Sequence, residues 1–370
     1  MLAHQHSPIM VFLPSLGGGG AERAMILFCA QMAKWGFSVI LVCVSAEGQM
    51  RHLVPPEVEL VDLKASRMSH AILKLRALVI KTKPRAVYST IVHANLATII
   101  ATAGMTIPVV IRESNAPLAE RKASISRKIN HFLAKYLYSR ASAIICVSQH
   151  VASEITAMCR GVANKIHALP TPVIEESLFR DSEQPLPQAM RAFFEEAPTI
   201  VAVARLHPQK NLSLLIDAVA EVNKTTSVQL AILGEGPLRS TLSDQIATLQ
   251  LGDRVRLLGF QSNPFNYIRS GRMLVLSSDY EGMPNVLIQA LALGVPVVST
   301  DCPGGSKELL RGGIWGNLTP VGQVQPLAAA IKNTLLEPKV VYVGEVVANY
   351  GVDTATRAYL NVIGVASDAS

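Results

Sequence analysis

Arg205 and Lys210 stand five residues apart, one closing an apolar run from Thr199 to Ala204 and the other opening, with Asn211, the helical stretch that follows. A guanidinium and an ammonium group fixed beside a helix start suit a diphosphate, because they compensate the charge that grows on it as a bond to it breaks. Alone, the pair would pass as two unpartnered surface cations. Two further segments recur at strand ends: Gly234-Glu235-Gly236-Pro237, and Glu281-Gly282-Met283-Pro284-Asn285-Val286-Leu287, which leads into a helix ending around Leu293. Pro284 is suited to start that helix, and the free amides behind it offer an anion site.

The first half offers weaker signals. Gly17 to Gly20 follows the first apolar run and precedes a helix beginning near Ala21, where backbone amides could approach a phosphate or a sugar. A tight turn without a ligand explains the same glycines. The segment is not G-x-G-x-x-G, and Val44 runs into Ser45, Ala46 and Glu47 with no acid clearly closing the second strand, so a nicotinamide dinucleotide is poorly supported. His93 lies in the loop after Thr90, where capping or local packing explains it as well as chemistry does. Arg112 and Glu113 follow Val109 to Ile111. The five cysteines form no C-x-x-C pair, and neither a D-x-D-like motif nor a histidine cluster stands out, so no metal and no cofactor is expected and a reducing cytosol fits best.

Taken together, Arg205 with Lys210, Gly234 to Pro237, Leu258-Gly259-Phe260, Glu281 to Gln289 and Gly294-Val295-Pro296-Val297-Val298 resemble the donor domain of family 4 retaining glycosyltransferases. Gly18-Gly19-Gly20-Ala21-Glu22-Arg23 resembles the first glycine loop of that family. The resemblance covers nearly the whole chain, most strongly from about 199 to 310. It implies that Glu281 contacts the donor sugar hydroxyls, that Arg205 and Lys210 grip the diphosphate, and that the backbone of Gly282, Met283, Pro284, Asn285, Val286 and Leu287 surrounds sugar and phosphate, with amides in the stretch from Met283 to Leu287 holding them. Gly18, Gly19, Gly20, Gly234, Glu235 and Gly259 would line the substrates. The family has a second glutamate eight residues after the first, on the ribose hydroxyls; here that residue is Gln289. A glutamine keeps a carbonyl acceptor but makes a neutral bond about 1 kcal/mol weaker than a charge-assisted one. Where many relatives have a histidine after the strand ending at Ile111, this chain has Arg112 and Glu113, which with His93 are the acceptor-side candidates.

These residues must be carried by a scaffold that the rest of the sequence describes. At 370 residues, 49% hydrophobic and 16% charged, the chain fits two α/β domains with extensive buried parallel sheet. Apolar runs at Ile9 to Leu13, Ser38 to Val44, Val58 to Leu63, Ala86 to Thr90, Val109 to Ile111 and Ala143 to Val147 alternate with helical stretches. The rhythm restarts with Thr199 to Ala204, Gln229 to Leu233, Val255 to Leu258, Met273 to Leu276 and Val295 to Thr300. Strand and helix in alternation predict two Rossmann-like, doubly wound parallel sheets facing a deep cleft, the GT-B architecture that the resemblance also implies. The expected domains are residues 1–178, binding the acceptor, and 190–350, binding the donor. Pro170 to Pro187 reads as the linker, and a helix at about 352–366 packs back on the first domain.

Ala86 to Ile111 holds 26 residues without a Lys, Arg, Asp or Glu, long enough to span a bilayer. His93, Asn95, Gly104 and Pro108 break it into strand, loop, a short helix from Leu96 to Ala103, and strand, so it reads as soluble. Met1 to Pro8 has no signal-peptide pattern. The net charge of +7 is uneven, with +8 on residues 1–185 and −1 on the remainder. Glu120 to Arg140 carries a net +5 interleaved with apolar residues, a basic amphipathic helix. Its functional reading is attachment to an anionic membrane surface or steering of a phosphate-bearing acceptor, and a solvated face explains it equally well. No nucleic-acid module is recognisable.

The expected protein is therefore a metal-independent, retaining transferase of a hexose or N-acetylhexosamine, from a uridine diphosphate donor to a lipid-linked or polysaccharide acceptor. It would work in the cytoplasm, peripheral on the inner membrane face. A nucleotide-sugar epimerase of the same plan and a transferase-like scaffold with little turnover are the alternatives.

Overall fold

The computed structural model describes residues 7–17, 19–117 and 125–365. Two compact units divide the chain: one runs to Val173 and takes in Asn349 onward, and the other is Ile174–Ala348.

In the first unit, β1 (Ile9–Leu13), α1 (Gly20–Lys34), β2 (Val39–Cys43), β3 (Glu59–Asp62), α2 (Met68–Thr82), β4 (Ala86–Thr90), α3 (Val92–Ala101), β5 (Val109–Glu113), α4 (Ile125–Leu137), β6 (Ala143–Cys146), α5 (Gln149–Met158) and β7 (Ile166–Ala168) follow in order. The strands form one parallel sheet ordered β3-β2-β1-β4-β5-β6-β7. Every residue of β1 and β2 is buried, the expected result when helices cover both faces of a parallel sheet. The order reverses between β1 and β4, and the carboxyl ends there are where such sheets bind ligands.

The second unit holds α6 (Glu176–Ser182), α7 (Gln188–Glu196), β8 (Thr199–Val203), α8 (Leu212–Asn223), β9 (Gln229–Leu233), α9 (Arg239–Thr248), β10 (Val255–Gly259), α10 (Phe265–Ser270), β11 (Met273–Leu276), α11 (Asn285–Ala292), β12 (Val297–Thr300), α12 (Ser306–Leu309), β13 (Asn317–Thr319) and α13 (Val324–Leu336). Its parallel sheet is ordered β10-β9-β8-β11-β12-β13, with the reversal between β8 and β11. Leu215, Ile216, Val219 and Val222 of α8 join Leu327 and Ile331 of α13 over Ile200, Leu230 and Ile232 of the sheet.

Two last helices, α14 (Val343–Tyr350) and α15 (Val352–Asn361), complete the described chain. In the first unit, α15 inserts Tyr359 beside Phe28 and Tyr88, with the Phe28 ring 5.4 Å from Tyr359 and 5.0 Å from Tyr88. The Tyr88 hydroxyl donates to the Tyr359 carbonyl at 3.0 Å.

Two expectations need correction, and two strands were not foreseen. The linker segment contains α6, whose Leu178 is buried; the four prolines flank that helix and do not interrupt it. β7 and β13, three residues each, were too short to show a period. The short helix expected at Leu96 begins at Val92, so His93 lies in its first turn and not in a loop. Ile91 makes that early start by adopting φ 75°, which is costly for a β-branched residue. The uncharged stretch 86–111 is β4, α3 and β5, and no helix among the described residues is long and apolar enough to cross a membrane.

Candidate active site

The second unit gathers its chemistry at the carboxyl ends of β8 and β11, on either side of the strand-order reversal. Past β8, Leu206 is buried and ties its loop to the next one: its amide donates to the Glu235 carbonyl at 2.9 Å and its carbonyl accepts from the Leu238 amide at 3.1 Å. Arg205, beside this anchor, is exposed. A short turn, Pro208–Lys210, then delivers Lys210 and ends at Asn211 in the left-handed region, φ 42°. Asparagine tolerates that conformation, and its side chain caps α8 by accepting from the Leu214 amide at 3.4 Å.

The loop after β11 is sewn to this turn. The Gln209 side-chain amide donates to the Tyr280 carbonyl at 2.9 Å, the Asp279 amide donates to the Gln209 carbonyl at 2.9 Å, and Asn211 Nδ2 donates to Asp279 Oδ1 at 2.8 Å. Within that frame Lys210 Nζ donates to Glu281 Oε1 at 2.5 Å. Glu281 is only 5% exposed, so the pair sits in a setting where opposite charges interact strongly and where losing one partner is costly.

Glycine lets the neighbouring backbones approach. Gly304 has φ 128°, and a Cβ there would stand 1.8 Å from the Glu281 carbonyl oxygen. Gly234 has φ 136°, and a Cβ there would stand 2.0 Å from the Ala204 carbonyl oxygen. The Gly234 amide also donates to the Gly259 carbonyl at 2.8 Å. Glu235 makes an exposed ion pair with Arg239 at 3.2 Å, which contributes little to stability.

Gly282, Met283 and Pro284 are buried, Asn285 and Val286 are half-buried, and Leu287 packs in the interior. Pro284 is the residue before α11, not its first residue, and its carbonyl accepts from the Leu287 amide at 3.0 Å. The start of α11 therefore presents a positive helix terminus next to Glu281. Gln289, one turn on from Asn285, is 9% exposed, and among the described residues no group hydrogen-bonds its side-chain amide. Arg205, Lys210, Gly234, Gly259, Glu281 and the start of α11 thus occupy adjoining strand ends of one sheet.

The other candidates lie in the first unit. Gly18 falls outside the described residues; Gly19 precedes α1 in extended conformation and Gly20 is its first residue. His93 is half-buried, and burial holds its imidazole below its ordinary pKa, so the ring is neutral at pH 7. Arg112 and Glu113 are not loop residues. They end β5 and are 3% and 2% exposed. Arg112 donates from Nε to the Tyr359 hydroxyl at 2.9 Å, from Nη1 to Thr90 Oγ1 at 3.3 Å and from Nη2 to Thr171 Oγ1 at 3.0 Å. Glu113 Oε1 accepts from Asn95 Nδ2 at 2.8 Å and from the Tyr138 hydroxyl. Burial pushes the Glu113 carboxyl up to about 7, against the pull of Tyr138, Asn95 and Arg112. Both side chains are used in tying β4, β5, α3 and α15 together.

Sequence reasoning missed Gln209, Ser277, Ser278 and Gly304. Their signals were small: two adjacent serines three and four residues before Glu281, and a Pro303-Gly304-Gly305 turn after β12.

The sequence model described as Glycosyltransferase Family 4 matches residues 18–177, and the one described as Glycosyl transferases group 1 matches residues 188–341. An uncharacterized glycosyltransferase of Methanocaldococcus jannaschii is 34% identical over 53% of this chain, a match spanning 48% of that protein's length. The N-acetylgalactosamine-N,N'-diacetylbacillosaminyl-diphospho-undecaprenol 4-alpha-N-acetylgalactosaminyltransferase of Campylobacter jejuni is 29% identical over 89% of this chain and 90% of its own. Among solved structures, the Anabaena protein HepE, crystallised with UDP and glucose, superposes with a TM-score of 0.81 at 22% identity, covering 97% of this chain and 99% of that one. Sucrose-phosphate synthase of Thermosynechococcus elongatus gives a TM-score of 0.82 at 17% identity, covering 98% and 100%. The two family matches fall one on each half of the chain, and with the two parallel Rossmann-like sheets they show that the chain belongs to the family 4 glycosyltransferases of GT-B fold.

Proposed function

We propose that the protein is a retaining, metal-independent glycosyltransferase that moves a hexose or N-acetylhexosamine from a uridine diphosphate sugar to a lipid-linked or polysaccharide acceptor. The observation that carries this reading is the Lys210–Glu281 pair, nearly enclosed at the strand-order reversal of the second unit. Arg205 and Lys210 take the diphosphate; Glu281 takes sugar hydroxyls; the start of α11 adds amide donors; Gln289 holds the ribose. The second unit is thus the donor side and the first the acceptor side. The bond from the anomeric carbon to the diphosphate oxygen breaks, its electron pair leaves with the diphosphate, and the acceptor oxygen bonds on the same face. The departing phosphate takes the acceptor's proton, and fixed cations stabilise the charge it has gained. His93, neutral and half-buried, is the acceptor-side group; Arg112 and Glu113 support the sheet.

Two relatives inform the substrates. The Campylobacter enzyme is named for an undecaprenol-linked acceptor, and the Anabaena structures contain UDP or UDP-glucose. Helix α4 supports a membrane-bound acceptor: Phe132 and Tyr136 are 61% and 58% exposed, with Ile129 and Leu133 also exposed beside Lys128, Lys135 and Arg140. Exposed aromatic and aliphatic side chains among lysines fit an anionic bilayer surface on the cytoplasmic face better than they fit a merely solvated helix. Residues 120–124 of the expected basic helix fall outside the described residues, so the argument stands on α4 itself.

Release of free nucleotide diphosphate that depends on added acceptor tests the proposal. An epimerase would interconvert the donor without release, and a scaffold would bind and not turn over.

A further inference from the structure

Ser277 and Ser278 follow β11 directly and both are buried. Successive side chains of extended backbone point opposite ways, and these two hydroxyls reach opposite members of the ion pair. Ser277 Oγ donates to the Lys210 carbonyl at 2.9 Å, whereas Ser278 Oγ donates to Glu281 Oε1 at 2.6 Å. Ser278 is itself held from behind, its carbonyl accepting from Thr300 Oγ1 at 2.6 Å, and the Glu281 amide donates to the Pro303 carbonyl at 3.0 Å.

Lys210 Nζ and Ser278 Oγ thus converge on the same carboxylate oxygen, and among the described residues every hydrogen bond to that carboxylate arrives at Oε1. Oε2 is left as an acceptor. The terminal torsion of a glutamate is soft, and an ammonium group is a point charge that does not define a plane. A second donor from another direction does define one. We infer, on the strength of the proposed donor site, that Ser278 is a specificity-determining positioning residue: it fixes the plane of the Glu281 carboxylate so that Oε2 meets one hydroxyl orientation of the donor sugar and not its epimer. Ser277 holds the backbone of Lys210 and so serves the diphosphate, which all donors share.

The test is isothermal titration of the full chain with uridine diphosphate, UDP-glucose, UDP-galactose and the two corresponding N-acetylhexosamine donors, on wild type, Ser278→Ala and Ser277→Ala, each checked for folding by its melting curve. Ser278→Ala keeps its affinity for uridine diphosphate within about twofold, while the ratio of affinities between the preferred donor and its C4 epimer falls about tenfold. Ser277→Ala weakens all ligands together and leaves that ratio intact. Ser278→Thr, which keeps the hydroxyl, restores the ratio. An unchanged ratio in Ser278→Ala, or a loss of uridine diphosphate affinity in step with sugar affinity, overturns the inference. A wild type that binds both epimers equally overturns it too, without touching the donor site; a wild type that binds none of the ligands overturns the donor site itself.

Discussion

Glu281 and Lys210 were legible as residues because each stands at a fixed distance from a strand end, but their direct pairing was not, since 71 residues separate them. Lys210→Ala leaves a carboxylate 5% exposed with only the Ser278 hydroxyl bonded to it and its charge uncompensated, so we expect about 3–5 kcal/mol of destabilisation in urea unfolding together with loss of donor binding. Gly304→Ala is expected to be at least as damaging, because its Cβ would enter the Glu281 carbonyl and its φ of 128° is strained for alanine. Restoring the family's acid with Gln289→Glu tests the one departure in the donor motif. Burial opposes the new charge in the empty site and a ribose compensates it, so the variant should melt lower alone and bind uridine diphosphate more tightly.

Glu113 adds a pH dependence whose sign follows from its environment. Its carboxyl is raised from the model-compound value of 4.5 to about 7 by burial, so the folded state keeps a proton that the unfolded chain releases. Its contribution is fully present below pH 4.5 and is lost as pH rises to about 7. Wild type should therefore lose stability relative to Glu113→Gln over that window in urea titrations at successive pH values; a constant difference would show that the carboxyl titrates normally.

At the scale of elements, the continuous apolar runs of β1, β2 and β4 were readable because both faces of a parallel sheet are buried. The end of β5 was not, because its last two residues are charged; Arg112 and Glu113 occupy strand positions only because Tyr359, Thr90, Thr171, Asn95 and Tyr138 supply polar partners from distant segments. The start of α3 was hidden by the unusual backbone of Ile91. Helix α15 is fastened by the same network, so Tyr359→Phe, which removes the hydroxyl that accepts from Arg112 Nε, should cost about 1–3 kcal/mol in urea unfolding. Helix α4 makes the opposite kind of prediction. Replacing exposed Phe132 and Tyr136 with alanine should leave the melting temperature unchanged and reduce co-sedimentation with vesicles of anionic lipid. Equal sedimentation of variant and wild type would remove the membrane reading.

For the whole molecule, the strand-helix rhythm and its restart near Thr199 indicated two α/β sheets, and each unit does carry one around its own core. What the rhythm did not contain was the order of strands, which depends on pairings between residues far apart in sequence. It is that order which puts the loops after β8 and β11 side by side and so brings Lys210 and Glu281 into direct contact. In the first unit the order β1-β4-β5 likewise brings its candidates to adjoining strand ends.

Saturation-transfer NMR of the purified protein with uridine, guanosine and adenosine diphosphate sugars, repeated on Arg205→Ala and Glu281→Ala, tests the central claim most directly. The account predicts that a uridine diphosphate sugar binds selectively and that both substitutions abolish its signal. Absence of binding to every nucleotide sugar, or binding that survives both substitutions, would contradict it.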